Sequence, residues 1–248
     1  MKLNKLNKRI RESKVNLFIL LALICSLIVF LLDLFDTNFS YHDILVESHG
    51  LIFDLFIFGI LLTFYETVNN KREKIERYTE EINDYKFWES EEAMFRTRGL
   101  IKRLVDLNAK NLDLSHCYLA NDKSLSSYKN MSNWRFSGAD LSNSLFLLST
   151  LENAHFYYSN LMDTRFDQVN LTNCKFSSAN LYNTDFEKCI LYGADFSNSI
   201  IKSKNWFYEL EKNKNIGVDE IKNKFLIIEN PESIDNIKTY IINSTLTD

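Results

Sequence analysis

From Phe136 to Ile201 every fifth residue is large and apolar, and phenylalanine alternates with an aliphatic residue. The run reads Phe136, Leu141, Phe146, Leu151, Phe156, Leu161, Phe166, Leu171, Phe176, Leu181, Phe186, Leu191, Phe196 and Ile201. A period of five fits neither a helix, near 3.6, nor a strand, at 2. It marks stacked units in a quasi-one-dimensional fold. The residue two before each centre is small in most units, as at Ala139, Ser144, Ser159, Cys174 and Ala194; Trp134 and Val169 are exceptions. The other positions are polar, with Asn and Asp frequent just before the centre. Each unit therefore predicts a large and a small inward residue and three outward ones.

Gly138-Ala139-Asp140-Leu141-Ser142, Ala179-Asn180-Leu181 and Ala194-Asp195-Phe196 match the motif A-[DN]-L-x-x. In this the chain resembles the pentapeptide-repeat family over residues 109–201. The resemblance implies a right-handed quadrilateral parallel β-helix with four repeats per coil. Twenty residues per coil would stack Phe136, Phe156, Phe176 and Phe196 in one column and Phe146, Phe166 and Phe186 in the opposite one. The Leu positions and Ile201 fill the other two columns. Leu114 and Leu119 read as earlier repeats in a different register, so a polar insertion near Asn121–Asn133 is expected to protrude as a loop.

The first hundred residues follow other rules. Residues 15–32 contain no charged side chain and are long enough for most of a ~30 Å hydrocarbon core. No small-x-small cleavage site follows them. Residues 51–68 form a second apolar stretch, interrupted by Asp54 and Glu66. Six Lys or Arg residues precede the first stretch, four follow the second between Lys71 and Arg77, and Asp36–Gly50 has none. Positive-inside logic then predicts a transmembrane α-hairpin at the inner (cytoplasmic) membrane with both termini cytoplasmic. The expected layout is a basic tail (1–14), two spans with an external loop at 36–50 (15–68), a helical stalk and N-terminal cap (69–108), the repeats (109–201) and a C-terminal cap (202–248). Asp54 and Glu66 are the candidate membrane-functional residues. Each either reaches the interface or, for Asp54, faces a bundle interior.

Leu61, Val68, Ile75 and Ile82, with Phe64, Lys71, Tyr78 and Tyr85, form an a/d heptad pattern. It supports either oligomerisation through this helix or packing of one amphipathic helix on its own domain. Ser90 fits the N-cap of a helix from Glu91 to about Leu107, whose face Ile101, Leu104, Val105 and Leu107 would plug the open rod. Beyond Ile201, a helix is expected near Val218–Phe225 and a second after Pro231.

Composition removes more functions than it adds. The net charge is −4, and residues 100–201 carry nine Lys/Arg against ten Asp/Glu. That balance disfavours both direct nucleic-acid binding and DNA mimicry of the kind by which family members bind topoisomerases. Four cysteines (Cys25, Cys117, Cys174, Cys189) have no metal-ligand spacing and read as reduced buried residues. His42, Asp43, Glu47 and His49 match no known metal site. No glycine-rich phosphate loop or activated nucleophile is visible. We expect no cofactor, no metal and no catalysis. Instead we expect a membrane-anchored rod for protein–protein interaction, with an unknown protein partner and self-association as a homo-oligomer. The alternative is an oligomeric membrane-perturbing or ion-conducting effector.

Overall fold

The computed structural model describes residue 27, residues 41–231 and residues 238–245; side chains are described from Gly50 onward, apart from 52 and 56. Two compact units divide at Thr67/Val68.

Over residues 41–67 of the first unit the chain is helical. Helix α1 runs unbroken over Tyr41–Asp84, so the loop expected at 36–50 is already helix from Tyr41 onward. No proline interrupts this stretch. Among the described residues no helix is long and apolar enough to cross a membrane. The span expected at 51–68 is a helix, but it is not shown as a span. Its large side chains are nonetheless exposed, with Phe53 at 62%, Leu61 at 59% and Phe64 at 69%. The span expected at 15–32 lies outside the described residues apart from Leu27, and the basic tail 1–14 lies outside them entirely.

The second unit begins with the lower part of α1. Ile82 is buried, and Ile75, Tyr78 and Tyr85 pack against the main core. The heptad therefore has two fates: its last two turns dock on their own domain, whereas Leu61, Phe64 and Val68 stay exposed. Helix α2 spans Glu91–Asp106 and is capped by Ser90, whose Oγ accepts the Ala93 N–H at 3.1 Å. Glu91 and Glu92 in the first turn and Arg103 in the last complement its dipole. Met94, Leu100, Ile101 and Leu104 turn inward and join the core of the rod.

The rod has four sides, seen as four parallel ladders that repeat every twenty residues. One carries Arg135, His155, Lys175 and Asp195; the next carries Asp140, Asn160, Asn180 and Ile200. The third consists of strands β1 (Leu145–Leu147), β2 (Arg165–Asp167) and β3 (Asp185–Glu187), paired in parallel. The fourth carries Asn130, Thr150, Asn170 and Ile190. All fourteen central residues from Phe136 to Ile201 are at most 1% exposed. Phe136, Phe156, Phe176 and Phe196 stack at 4.9–5.0 Å between centroids, with planes within 6°. Phe146, Phe166 and Phe186 do the same at 4.8 and 5.1 Å. These spacings follow the ~4.8 Å separation of paired strands. Between columns the rings meet edge to face, as at Phe156–Phe166 (6.1 Å, 86°). Both arrangements suit the ring quadrupole.

The small inward residues are also explained. Ser144, Thr164, Cys174, Thr184 and Ser199 each donate to a backbone carbonyl 23 or 25 residues earlier, one coil back. A buried hydroxyl or thiol there is satisfied and ties the coils together.

The register slip takes an unexpected form. Asp113 pairs with Arg135 and Tyr118 with Asp140, so the first coil has two residues more than twenty. No apolar gap is left behind, because Leu125 and Met131 are fully buried. Leu119, Leu125, Met131 and Phe136 are spaced six, six and five. Two sides thus take one extra residue each, and a 3₁₀ turn at Lys123–Ser127 absorbs one of them. The protruding loop expected at Asn121–Asn133 is instead part of the wall.

At the other end Trp206, the first residue of α3 (Trp206–Lys212), covers the stack edge-on, 5.1 Å from Phe196 and 6.4 Å from Phe186. Helix α4 follows at Val218–Lys224. The helix expected after Pro231 would begin in residues 232–237, which lie outside the described residues; beyond them strand β6 (Tyr240–Ser244) forms. It lies between β5 (Phe225–Glu229) and the last rod strand β4 (Ile200–Ile201), antiparallel to both. Antiparallel pairing ends the parallel ladder and covers its terminal backbone.

Candidate functional site on the outward faces of the rod

Outward chemistry is set by position within each repeat. The residue before the centre is often Asn or Asp because its side chain accepts the N–H two residues on. Asp140 holds Ser142, Asn170 holds Thr172, Asn180 holds Tyr182 and Asp195 holds Ser197 in this way. On the second side these groups also bond along the rod, from Asn180 to Asn160 and from Asn160 to Asp140.

From Phe136 to Phe196 the residue two after each centre turns the corner with positive φ, most often Asn but also Tyr158, Leu148 and Lys188. Non-glycine residues are uncommon there, and bulky ones more so. Leu148 and Tyr158 are 50% and 76% exposed. Gly138 occupies such a corner for reasons of space. A Cβ on it would lie 2.5 Å from the His116 ring, which in turn stacks on Phe87 at 4.3 Å.

The first and third sides carry contrasting charge. Arg135, His155 and Lys175 follow one another in the same outward position. Partial burial, with Arg135 and Lys175 on either side, holds His155 below the ordinary imidazole value. On the third side Arg165 reaches Glu187 at 2.6 Å, Asp167 at 3.2 Å and Asp185 at 3.9 Å. Burial raises the Asp185 carboxyl despite Arg165.

Catalytic chemistry finds little support in this arrangement. A cavity of about 660 Å³ opens beside the last coil, lined in part by Thr184, Asp185, Lys202, Ser203, Trp206 and Tyr240. Two of its hydroxyls serve the backbone: Thr184 donates to the Leu161 carbonyl and Ser203 accepts the Asn205 N–H. Cys117, Cys174 and Cys189 are free and buried. Burial pushes the thiols of Cys117 and Cys189 up to about 12 and that of Cys174 higher still. Neutral, enclosed thiols are poor nucleophiles. Among the described residues no cluster of His, Cys, Asp or Glu could hold a metal. The side chains of His42, Asp43, Glu47 and His49, and the whole of Cys25, lie outside the described set.

Asp54 is exposed on α1 and Glu66 is half-buried. Twelve residues of helix separate them by about 18 Å, so they form no common site. The sequence reading missed the cation column. Its signal was Arg135, His155 and Lys175 at intervals of twenty.

Comparison with known proteins bears on the rod. The pentapeptide-repeats family model matches residues 130–173 and 164–202, with eight copies. Residues 130–202 thus match the pentapeptide-repeat family, and the match supports a β-helix-type repeat fold. Among solved structures the chain is similar to a pentapeptide repeat protein of the Arabidopsis thaliana thylakoid lumen. Identity is 18% and the TM-score 0.28, covering 42% of this chain and 74% of that one. It is similar to the pentapeptide repeat protein Rfr23 of the cyanobacterium Cyanothece 51142 at 14% identity and TM-score 0.16, covering 43% and 61%. A third is HetL of Nostoc sp. strain PCC 7120, a pentapeptide repeat protein involved in heterocyst differentiation regulation. There the identity is 20% and the TM-score 0.14, over 38% of this chain and 50% of that one. No curated protein matches the sequence.

Proposed function

We propose that this pentapeptide-repeat protein is a non-enzymatic, membrane-attached scaffold that presents its rod at the cytoplasmic face for protein–protein interaction. One observation carries the reading. The inward positions are consumed by packing and backbone bonds, and the chemistry left over lies in exposed, evenly spaced columns rather than in a convergent pocket. A rigid surface of that kind selects a partner by charge and shape. Its cations are too few and too mixed with acids to track a phosphate backbone, so the partner is a protein and not a nucleic acid.

Membrane attachment is supported by the 18 uncharged residues 15–32 and by the exposed apolar side chains of α1 between 51 and 68. Washing native membranes at alkaline pH and co-purifying bound proteins tests both parts. Retention in the membrane pellet with a stoichiometric protein partner is expected. Release into the wash would remove the attachment, and capture of no protein would remove the scaffold.

A second reading is an effector that assembles in the bilayer and perturbs it. It is favoured by one feature: Asp54 stands in α1 among exposed Phe53, Ile57, Phe58 and Leu61. An acid on an apolar helix favours burial against sister helices. Expression that lowers membrane potential, and ceases to do so in Asp54→Leu, is the result this reading requires.

A further inference from the structure

We propose that the rod packs sideways against a second copy of this chain, the first side of one copy meeting the third side of the next in an open row. The inference rests on reading the rod as an interaction surface, and it names both the surface and the occupant.

The starting observation is an imbalance. The side chains of Arg135, His155 and Lys175 make no hydrogen bond or ion pair among the described residues, although they stand in adjacent coils. Acids do occupy the two ends of that column, but they are engaged elsewhere. Asp113 lies 3.6 Å from Lys86 and accepts the Ser115 N–H. Asp195 is bonded to Ser177 and Ser197. The third side has the opposite surplus: Asp167, Asp185 and Glu187 share Arg165, with Lys188 on Glu187.

Register then decides what meets what. The chain circles the rod in one sense, so it runs in opposite directions along opposite sides. A copy moved out from the first side without rotation, and displaced along the axis by half a coil because Phe156 stands midway between Phe146 and Phe166 at 6.3 and 6.1 Å, lays the position before each first-side centre on the position after a third-side centre. His155 then faces Asp167 and Lys175 faces Glu187. The partner positions bring Tyr157 to Arg165 and Ser177 to Asp185. Three of these are a His–carboxylate contact, an ion pair and a cation–π contact; Ser177, whose O–H is given to Asp195, only lies beside Asp185. Arg135 meets Leu147, which its aliphatic stem can cover. The opposite half-coil displacement would set Glu187 level with Asp195, so like charge selects the first of the two registers.

Contact between opposite sides is heterologous and does not close on itself, so it extends into a row rather than ending at a dimer. The face is narrow, well short of the ~800 Å² per partner of a stable complex. Association is therefore weak for free molecules and strengthened where the chains share one surface.

Cysteine crosslinking of the full-length chain in intact cells tests this. Ser177→Cys with Asp185→Cys places a thiol on each contacting side, and the unsubstituted chain gives the background from native cysteines. The expected product is a ladder of dimers, trimers and higher species. Adding Lys175→Glu lowers it at least fivefold, and Lys175→Glu with Glu187→Lys restores it. Absence of crosslinks above background, a product that stops at the dimer, or a ladder indifferent to Lys175→Glu would each overturn the row. Proteins other than the chain itself, co-purified with the Lys175→Glu form, separate the two levels. If they are retained while the ladder is lost, the scaffold reading stands apart from self-assembly; if none is captured with or without the substitution, that reading fails independently.

Discussion

Replacing Phe166 by alanine removes the centre of the aromatic stack. Phe166 is fully buried, stacked 4.8 Å from Phe146 and 5.1 Å from Phe186, and edge-on to Phe156 and Phe176 at 6.1 Å each. Phe→Ala substitutions in cores cost about 3–5 kcal/mol, more where the surroundings cannot collapse. Collapse is hindered here because the backbone on both sides is fixed in register by Arg165–Asp185 and Leu145–Arg165 pairing. Four ring contacts are lost as well, each worth about 0.5–1.5 kcal/mol beyond burial and not additive. We therefore expect a loss of about 4–5 kcal/mol in urea unfolding of the full-length protein. Trp134 and Trp206 sit at opposite ends of the stack, so fluorescence reports both. A defect at mid-rod weakens nearest-neighbour coupling and should broaden or split the transition. A loss below about 1 kcal/mol, with one sharp transition, would refute the column argument.

Other consequences are smaller. Ser90→Ala removes the α2 cap and should cost about 1 kcal/mol in the same unfolding assay. Gly138→Ala should cost about 1–3 kcal/mol by overpacking against His116, and much less in a His116→Ala background, a coupling that a double-mutant cycle measures. Cys117, Cys174 and Cys189 should resist iodoacetamide at pH 8 in the native protein and react after unfolding, as mass spectrometry would show. Because folding raises the thiol values of Cys117 and Cys189 from 9.0 to about 12, their contribution is complete below pH 9.0. It falls as pH rises from there through about 12, which alkaline titration of stability would follow.

The rod was legible because one buried centre recurs every five residues and nothing else uses that period. The Phe/Leu alternation even separated the two aromatic columns. The first coil was less legible because its two six-residue units hide Leu125 and Met131 among polar neighbours, which read as a loop. The seam on α1 was ambiguous because an amphipathic stripe serves a sister helix or its own domain equally well. Only the burial of Ile82 and the packing of Ile75 and Tyr78 show which half does what. Strand β6 was missed because the short apolar run Tyr240–Ile242 has no helical or strand period of its own. Its pairing with Ile200 and Ile201 is a long-range choice. The charged columns were written in the sequence at intervals of twenty, but they become a surface only once the coil length is known.

The central claim is that the rod works through its outward sides while its interior only holds shape. It is tested most directly by quantitative co-purification from native membranes. Wild type would be compared with Arg135→Glu/Lys175→Glu on the first side and Asp167→Lys/Glu187→Lys on the third. The account predicts that at least one pair of substitutions removes bound protein while the variant stays folded, the first-side pair keeping its unfolding free energy within about 0.5 kcal/mol of wild type because its side chains make no ion pair among the described residues. Full retention of every bound protein by both variants, with loss only when the rod unfolds, would contradict it.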